Sequence, residues 1–157
     1  MEFVRHIHDY LNDYIRLADA KAGAIFLIAS GMIGFLVKGV GGSLSRSDLD
    51  WAQAIWLSVA ALLNFLTIVV TLLVTRPRLG KTSPKRLIYW RDILEWKSMD
   101  AYVAASSDLN PTDAAVHVAV HNWQLARIAD EKYRLLTVAY ALAAVSALVS
   151  LPFVMIY

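Results

Sequence analysis

Apolar positions along this chain come in two textures: long uninterrupted blocks, and stripes that recur every three or four residues. Ala22 to Val37, Trp51 to Thr75 and Leu135 to Tyr157 contain no Asp, Glu, Lys or Arg. Roughly 20 apolar residues cross ~30 Å of hydrocarbon as a helix, so the second and third blocks are long enough outright. The first, at 16 residues, spans if Lys21 and Lys38 lie along the helix toward the head groups or if Gly39 and Val40 extend it. The pattern therefore predicts membrane helices over 22–40, 51–75 and 135–157.

The stripes predict helices that continue two of these spans into water. Phe3, Ile7, Tyr10, Tyr14 and Leu17 mark one face of an amphipathic helix over 1–21. No Gly or Pro precedes Gly23, so this helix runs into the first span as one rod of about 35 residues, about 50 Å at 1.5 Å per residue. Val116, Val120, Trp123 and Ile128 mark a second stripe over 112–134, started by Asn110 or Thr112 as cap with Pro111 in the first turn. Nothing breaks helical patterning from there to Leu151. The two stripes are expected to pack on each other as a stalk, with Lys132, Tyr133 and Arg134 level with Asp19 and Lys21.

Between the spans, Gly39 to Ser47, with Gly41-Gly42, reads as the outer loop, the external segment beyond the first span being 41–50, and Asp48 or Asp50 caps the second span. Segment 76–111 reads as a small cytosolic module. Arg76-Pro77-Arg78 ends the span, and Gly80 and Pro84 punctuate a turn. Leu87 to Leu94 fits a short strand, an interfacial helix or a packed cytosolic helix, and Met99 to Ser107 fits one further short helix. The expected fold is an all-α membrane protein with three transmembrane helices, the first and third continuing into the cytosol as long helices that pack with the small module.

Inside the spans, Ser30 and Gly34, and Ala139, Ala143 and Ala147, have the small-xxx-small spacing that lets helices approach closely in lipid. Asn64, deep in the second span, either hydrogen-bonds another helix or lines a polar path. Pro152 falls near the outer end of the third span, where it disrupts little.

Composition and charge sharpen the picture. Hydrophobic residues make up 58% of the chain, above the 45–50% or so of soluble domains. There is no cysteine, which excludes disulfide frameworks and thiolate chemistry. Glu2, Asp9 and Asp13 near the start argue against a cleaved signal peptide, so the mature chain is expected to begin at Met1. Of 15 Lys and Arg residues, ten lie from Arg76 to Arg134, and three, Arg5, Arg16 and Lys21, precede the first span. Only Lys38 and Arg46 flank the first connection, which places the N-terminus inside and the C-terminus outside.

Chemistry is sparse. His8-Asp9 lacks the rest of a phosphohydrolase constellation. His117 and His121 stand at metal-binding spacing without the glutamate that zinc hydrolysis needs, so the histidines, His6 included, read as polar or packing positions. No metal, cofactor or catalytic group is expected. The basic stretch Arg76, Arg78, Lys81, Lys85, Arg86 and Arg91 suits topology and anionic lipid. Its second reading is a phosphate site in which Lys85, Arg86 and Arg91 pair with the anion while Tyr89, Trp90 or Trp96 stacks on a base. Asp19 and Lys132 read as a juxtamembrane ion pair that locks the two rods, with Lys21, Tyr133 and Arg134 alongside.

The junction Ala18-Asp19-Ala20-Lys21-Ala22 before the first span, together with Lys132-Tyr133-Arg134 before the last, resembles the transmembrane Pycsar effector family of bacteria over nearly the whole chain. Tyr89-Trp90-Arg91-Asp92-Ile93 resembles its aromatic cytosolic segment more loosely. The resemblance implies an antiphage effector of the inner membrane. A cyclic pyrimidine mononucleotide, cyclic UMP or cyclic CMP, would activate it to impair that membrane. The implied partners are the nucleotide, the bilayer and further copies of the chain, with no nucleic acid polymer. A membrane scaffold or signal-sensing subunit that permeabilises nothing is the competing reading, and a helical metal site shared between the rods, or an intramembrane enzyme built on the same histidines, is a third.

Overall fold

The computed structural model describes residues 2–44, 50–77 and 87–156, with side chains for all of these except 39–44, 90, 91 and 154–156. Five helices follow one another: α1 (Glu2–Leu44), α2 (Trp51–Thr75), α3 (Trp90–Leu94), α4 (Met99–Ser107) and α5 (Pro111–Ile156). No strand occurs among the described residues, so the strand reading of Leu87 to Leu94 gives way to α3. Three of the helices are long and apolar enough to cross a membrane, over Glu2–Lys38, Trp51–Thr75 and Pro111–Phe153. The chain is an all-α protein with three candidate membrane spans.

Local sequence explains the helix starts. Asp50 precedes α2 and its backbone N–H donates to Gln53 Oε1 at 3.3 Å. Ser98 caps α4, its hydroxyl accepting from Ala101 N. Asn110, rather than Thr112, caps α5, accepting from Asp113 N at 2.8 Å while its amide donates to the Asp113 carboxylate. α1 continues past the expected start of the outer loop, through Gly39, Gly41 and Gly42 to Leu44. Each glycine costs a helix about 1 kcal/mol, less than a backbone without hydrogen bonds costs in lipid.

The helices form two compact units, and α1 and α5 each contribute to both. The unit of Leu17–Arg76 and Lys132–Tyr157 has a core of Ala18, Ala22, Ile25, Val74, Leu136 and Ala139. Ala18, Ala22 and Ala139 are fully buried, as expected where three backbones approach closely. α2 faces this core with Ala60, Asn64, Thr67, Thr71 and Val74, a stripe at three- and four-residue spacing. Its threonines satisfy themselves, Thr67 donating to Leu63 O and Thr71 to Ile68 O. The Asn64 amide donates to Ala60 O and Ser150 Oγ and accepts from Ser146 Oγ at 3.4 Å, which is the helix-to-helix reading of that residue. Leu27, Ile28, Leu62, Phe65 and Leu148 point outward, as a lipid-facing surface requires. Among the described residues of the chain, no neighbouring helix approaches α1 closely at Gly31 or Gly34, where an added Cβ would meet nothing within 4 Å. The close-approach stripe of α1 is Ala18, Ala22, Ile25 and Ala29 instead.

The unit of Met1–Arg16 and Pro77–Glu131 is organised differently. Phe3, Tyr10, Tyr14 and Leu17 are 74%, 53%, 41% and 46% exposed, and Val116, Val120 and Trp123 are exposed on α5. The predicted stalk stripes therefore do not pack on each other. The sheltered face of α1 carries Val4, Ile7, His8, Leu11 and Ile15, and that of α5 carries Val118, His121, Asn122, Leu125 and Ala129. Two sets of apolar residues run along α1 at helical spacing, and the contact uses the aliphatic set, Val4, Ile7, Leu11 and Ile15, with the His8–Asn122 hydrogen bond inside it, rather than the aromatic one.

Candidate functional site

Asn122 is buried in the N-terminal half of α5, and His8 lies opposite it on α1. The exposed Asn12 amide donates to His8 Nε2 at 3.0 Å, so Nδ1 carries the ring hydrogen and donates to Asn122 Oδ1 at 3.1 Å. The Asn122 amide donates in turn to Val4 O at 2.9 Å. One chain of hydrogen bonds thus clamps two helices. The His121 ring lies 5.3 Å from that of His8, and Tyr89 lies 6.3 Å from His121, so His8 and His121 take part in ring packing between α1 and α5. Among the described residues no group of three or more His, Cys, Asp or Glu is placed to hold a metal.

Beside this clamp a cavity of about 470 Å³ is lined by Glu2, Val4, Arg5, His8, Ile88, Ala115 and Val118. Its volume lies within the ~300–1,000 Å³ of small-molecule sites. Four apolar side chains form most of the wall, and Arg5 and Glu2 bring one charge of each sign. The lining thus offers apolar packing together with one cation and one carboxylate.

The segment after it is tied down by aromatic contacts. Tyr102 of α4 donates its hydroxyl to Leu87 O at 3.1 Å, and the Trp96 ring packs edge-on against Tyr102, centroids 6.3 Å apart. Asp92 of α3 is 1% exposed, and neither carboxyl oxygen has a hydrogen-bond partner among the described residues. Trp96 Nε1 is likewise buried without one among them.

The residues expected to hold a ligand fare unequally. Lys85 and Arg86 lie outside the described residues, and Trp90 and Arg91 belong to α3 with their side chains outside the described set. Tyr89 and Trp96 are half-buried, Tyr89 against His121 and Trp96 against Tyr102. Arg5 and Glu2 carry no sequence signal of their own, because isolated charges on an amphipathic helix look like solvent-facing ones. Asp92 is equally inconspicuous inside Tyr89-Trp90-Arg91-Asp92-Ile93, where the neighbouring cations and rings are the visible candidates.

At the junction, Asp19 and Lys132 are in contact. Lys132, 4% exposed, donates its ammonium to the Asp19 carboxylate. Lys21 Nζ stands 6.0 Å from the centre of the Tyr133 ring, and Arg134 is exposed. Ala18 and Ala22 flank Asp19 by one and three residues, and their absent side-chain bulk lets α1 approach Leu136 and Ala139. The spacing alanine, aspartate, alanine thus has a mechanical reason: two contact points around one charge.

A family model described as the Pycsar effector protein domain matches residues 3–157. The Staphylococcus aureus protein named Pycsar effector protein SaPycTM is 24% identical over 145 residues, covering 91% of this chain and 87% of that protein. No solved structure matches.

Proposed function

Since this chain belongs to the Pycsar effector family, a family of antiphage effectors rather than a known enzyme class, we propose that it senses cyclic UMP or cyclic CMP on the cytosolic side and then impairs the bacterial inner membrane, giving abortive infection. The observation that carries the sensing half is the cavity lined by Glu2, Arg5, His8 and Ile88. Arg5 takes the cyclic phosphate, Glu2 takes a ribose hydroxyl, and Val4, Ala115 and Val118 pack against the sugar, with Ile88 on the side where the base lies. Cations at Arg5, Arg16 and Lys21 and from Arg76 to Arg134 support a cytoplasmic N-terminus and a periplasmic C-terminus.

A ligand shifts a conformational equilibrium only by preferring one state. The cavity is walled by α1 and α5, and each of these helices runs unbroken into a candidate membrane span. Ligand-dependent packing at Val4, His8 and Val118 therefore reaches the spans through helical backbone. Asp19 and Lys132 act as the coupling collar, with Lys21, Tyr133 and Arg134 around them. Three helices per chain enclose little pore, and the exposed Phe3, Tyr10, Val116 and Trp123 offer apolar surface to further copies, so the active form is a homo-oligomer. Calorimetry of the purified protein with each nucleotide, paired with ion leakage from liposomes, tests this. Binding without leakage would favour the scaffold reading, and neither binding nor leakage would end the sensing reading.

A further inference from the structure

Among the described residues, Asp92 and Trp96 carry the buried side-chain polar atoms that have no hydrogen-bond partner. A carboxyl group withdrawn from water without a donor costs several kcal/mol, and a buried indole N–H without an acceptor adds to that. Here both occur four residues apart, around a turn that stays in the α conformation through Glu95. Their surroundings are otherwise satisfied: Tyr102 donates to Leu87 O, the backbone N–H groups of Glu95 and Trp96 find Asp92 O and Ile93 O, and Ser98 caps α4. One side chain offers only acceptors and the other only a donor.

We propose that Asp92 and Trp96 form the base-reading pair of the nucleotide site. The Asp92 carboxyl accepts from the pyrimidine's hydrogen-bonding edge, the ring N–H of uracil or the exocyclic amine of cytosine. The Trp96 indole donates to the adjacent ring acceptor of the same base. This rests on the reading of the protein as a cyclic pyrimidine sensor and assigns the residues that recognise the base. A phosphate is excluded as the occupant, because a carboxyl repels it. Trp96 and Tyr102 pack edge-on beside Asp92 in the chain, and an aromatic ring offers a planar base a face to stack on.

The pair is closed to solvent, so recognition requires α3 to move. Ile88 lines the cavity and Asp92 follows it by four residues. α3 is five residues long, preceded by non-helical 87–89 and followed by a turn. A base entering past Ile88 satisfies two groups that the closed state leaves unpaired, which gives the ligand its preference for the open state.

The test is calorimetry on the full-length protein in nanodiscs. It uses cyclic UMP, cyclic CMP, their analogues methylated on the ring N–H or the exocyclic amine, and the 2′-deoxy analogues. Asp92→Asn keeps the shape, and Trp96→Phe removes the N–H. Each variant is expected to weaken binding of the cognate nucleotide by about tenfold or more. The base-methylated analogue should bind the wild type poorly and suffer no further loss in Asp92→Asn. Variants that bind as tightly as wild type, or an undiminished methylation penalty in Asp92→Asn, overturn the pair. If the 2′-deoxy penalty disappears instead, Asp92 reads the ribose and the base assignment is wrong. Absence of binding of either nucleotide to wild type overturns the sensing reading, and the pair with it. If Asp92→Asn fails to fold by circular dichroism, Trp96→Phe with the methylated analogues decides the matter.

Discussion

Lys132 is almost wholly buried and its ammonium is held by Asp19, whose side chain is 39% exposed. The asymmetry sets the consequence of breaking the pair. Asp19→Ala leaves a buried cation without its counter-ion, whereas Lys132→Met replaces it with an apolar side chain of similar length. Removing one partner of a fully buried pair costs about 3–5 kcal/mol. With Asp19 partly in solvent, Asp19→Ala is expected to cost about 2–3 kcal/mol and Lys132→Met within about 1 kcal/mol. Thermal unfolding of the purified variants in detergent measures both. The double exchange Asp19→Lys with Lys132→Asp should recover leakage activity that each single exchange loses. Failure of that recovery would remove the coupling role from the collar while leaving the contact intact.

Small residues on α1 are predicted to matter by position rather than by type. Ala22 is fully buried in the core with Leu136 and Ala139, so Ala22→Leu overpacks it and costs about 1–3 kcal/mol. Gly34 has open space where a Cβ would point, so Gly34→Ala stabilises the helix by up to about 1 kcal/mol. Comparing the two melting temperatures checks this, and a destabilising Gly34→Ala would mean that another copy of the chain covers that face.

The His8–Asn122 clamp gives a third prediction. Asn122→Leu leaves Val4 O and His8 Nδ1 without their partner and is expected to cost about 1–3 kcal/mol. Hydrogen exchange should rise in residues 2–16 and stay unchanged in 51–75.

Arg5 is exposed at the cavity and takes no part in the His8–Asn122 clamp or the Asp19–Lys132 pair. Arg5→Gln is therefore expected to weaken nucleotide binding by about tenfold or more without shifting the melting temperature. Equal binding by wild type and variant would move the phosphate contact elsewhere.

How much of the fold and the site is legible in the sequence depends on what each contact is made of. Runs without charge, such as Trp51 to Thr75, define helix α2 with its bounds, because crossing lipid demands a long apolar stretch and little else produces one. Asp19 and Lys132 are legible as a pair because charges at the edge of apolar runs are rare and need counter-ions. The faces of α1 and α5 in the unit of Met1–Arg16 and Pro77–Glu131 are not legible. Phe3, Val116 and Val120 are apolar yet exposed, while His8 and Asn122 are polar yet sheltered between the helices. A two-letter pattern of apolar and polar residues has no symbol for a buried hydrogen bond. Asp92 is hidden for the same reason, since only its burial distinguishes it from a solvent-facing aspartate.

Coupling of nucleotide binding to membrane damage is read most directly in vesicles. Liposomes loaded with a fluorescent dye and carrying the full-length protein should release it when cyclic UMP or cyclic CMP is added, and should retain it with cyclic AMP or with buffer alone. Proteoliposomes of Asp19→Ala should bind the nucleotide and release little. If wild-type vesicles retain their dye with both cyclic pyrimidines while calorimetry records binding, the protein senses the nucleotide without impairing the membrane, which contradicts the effector mechanism proposed for it.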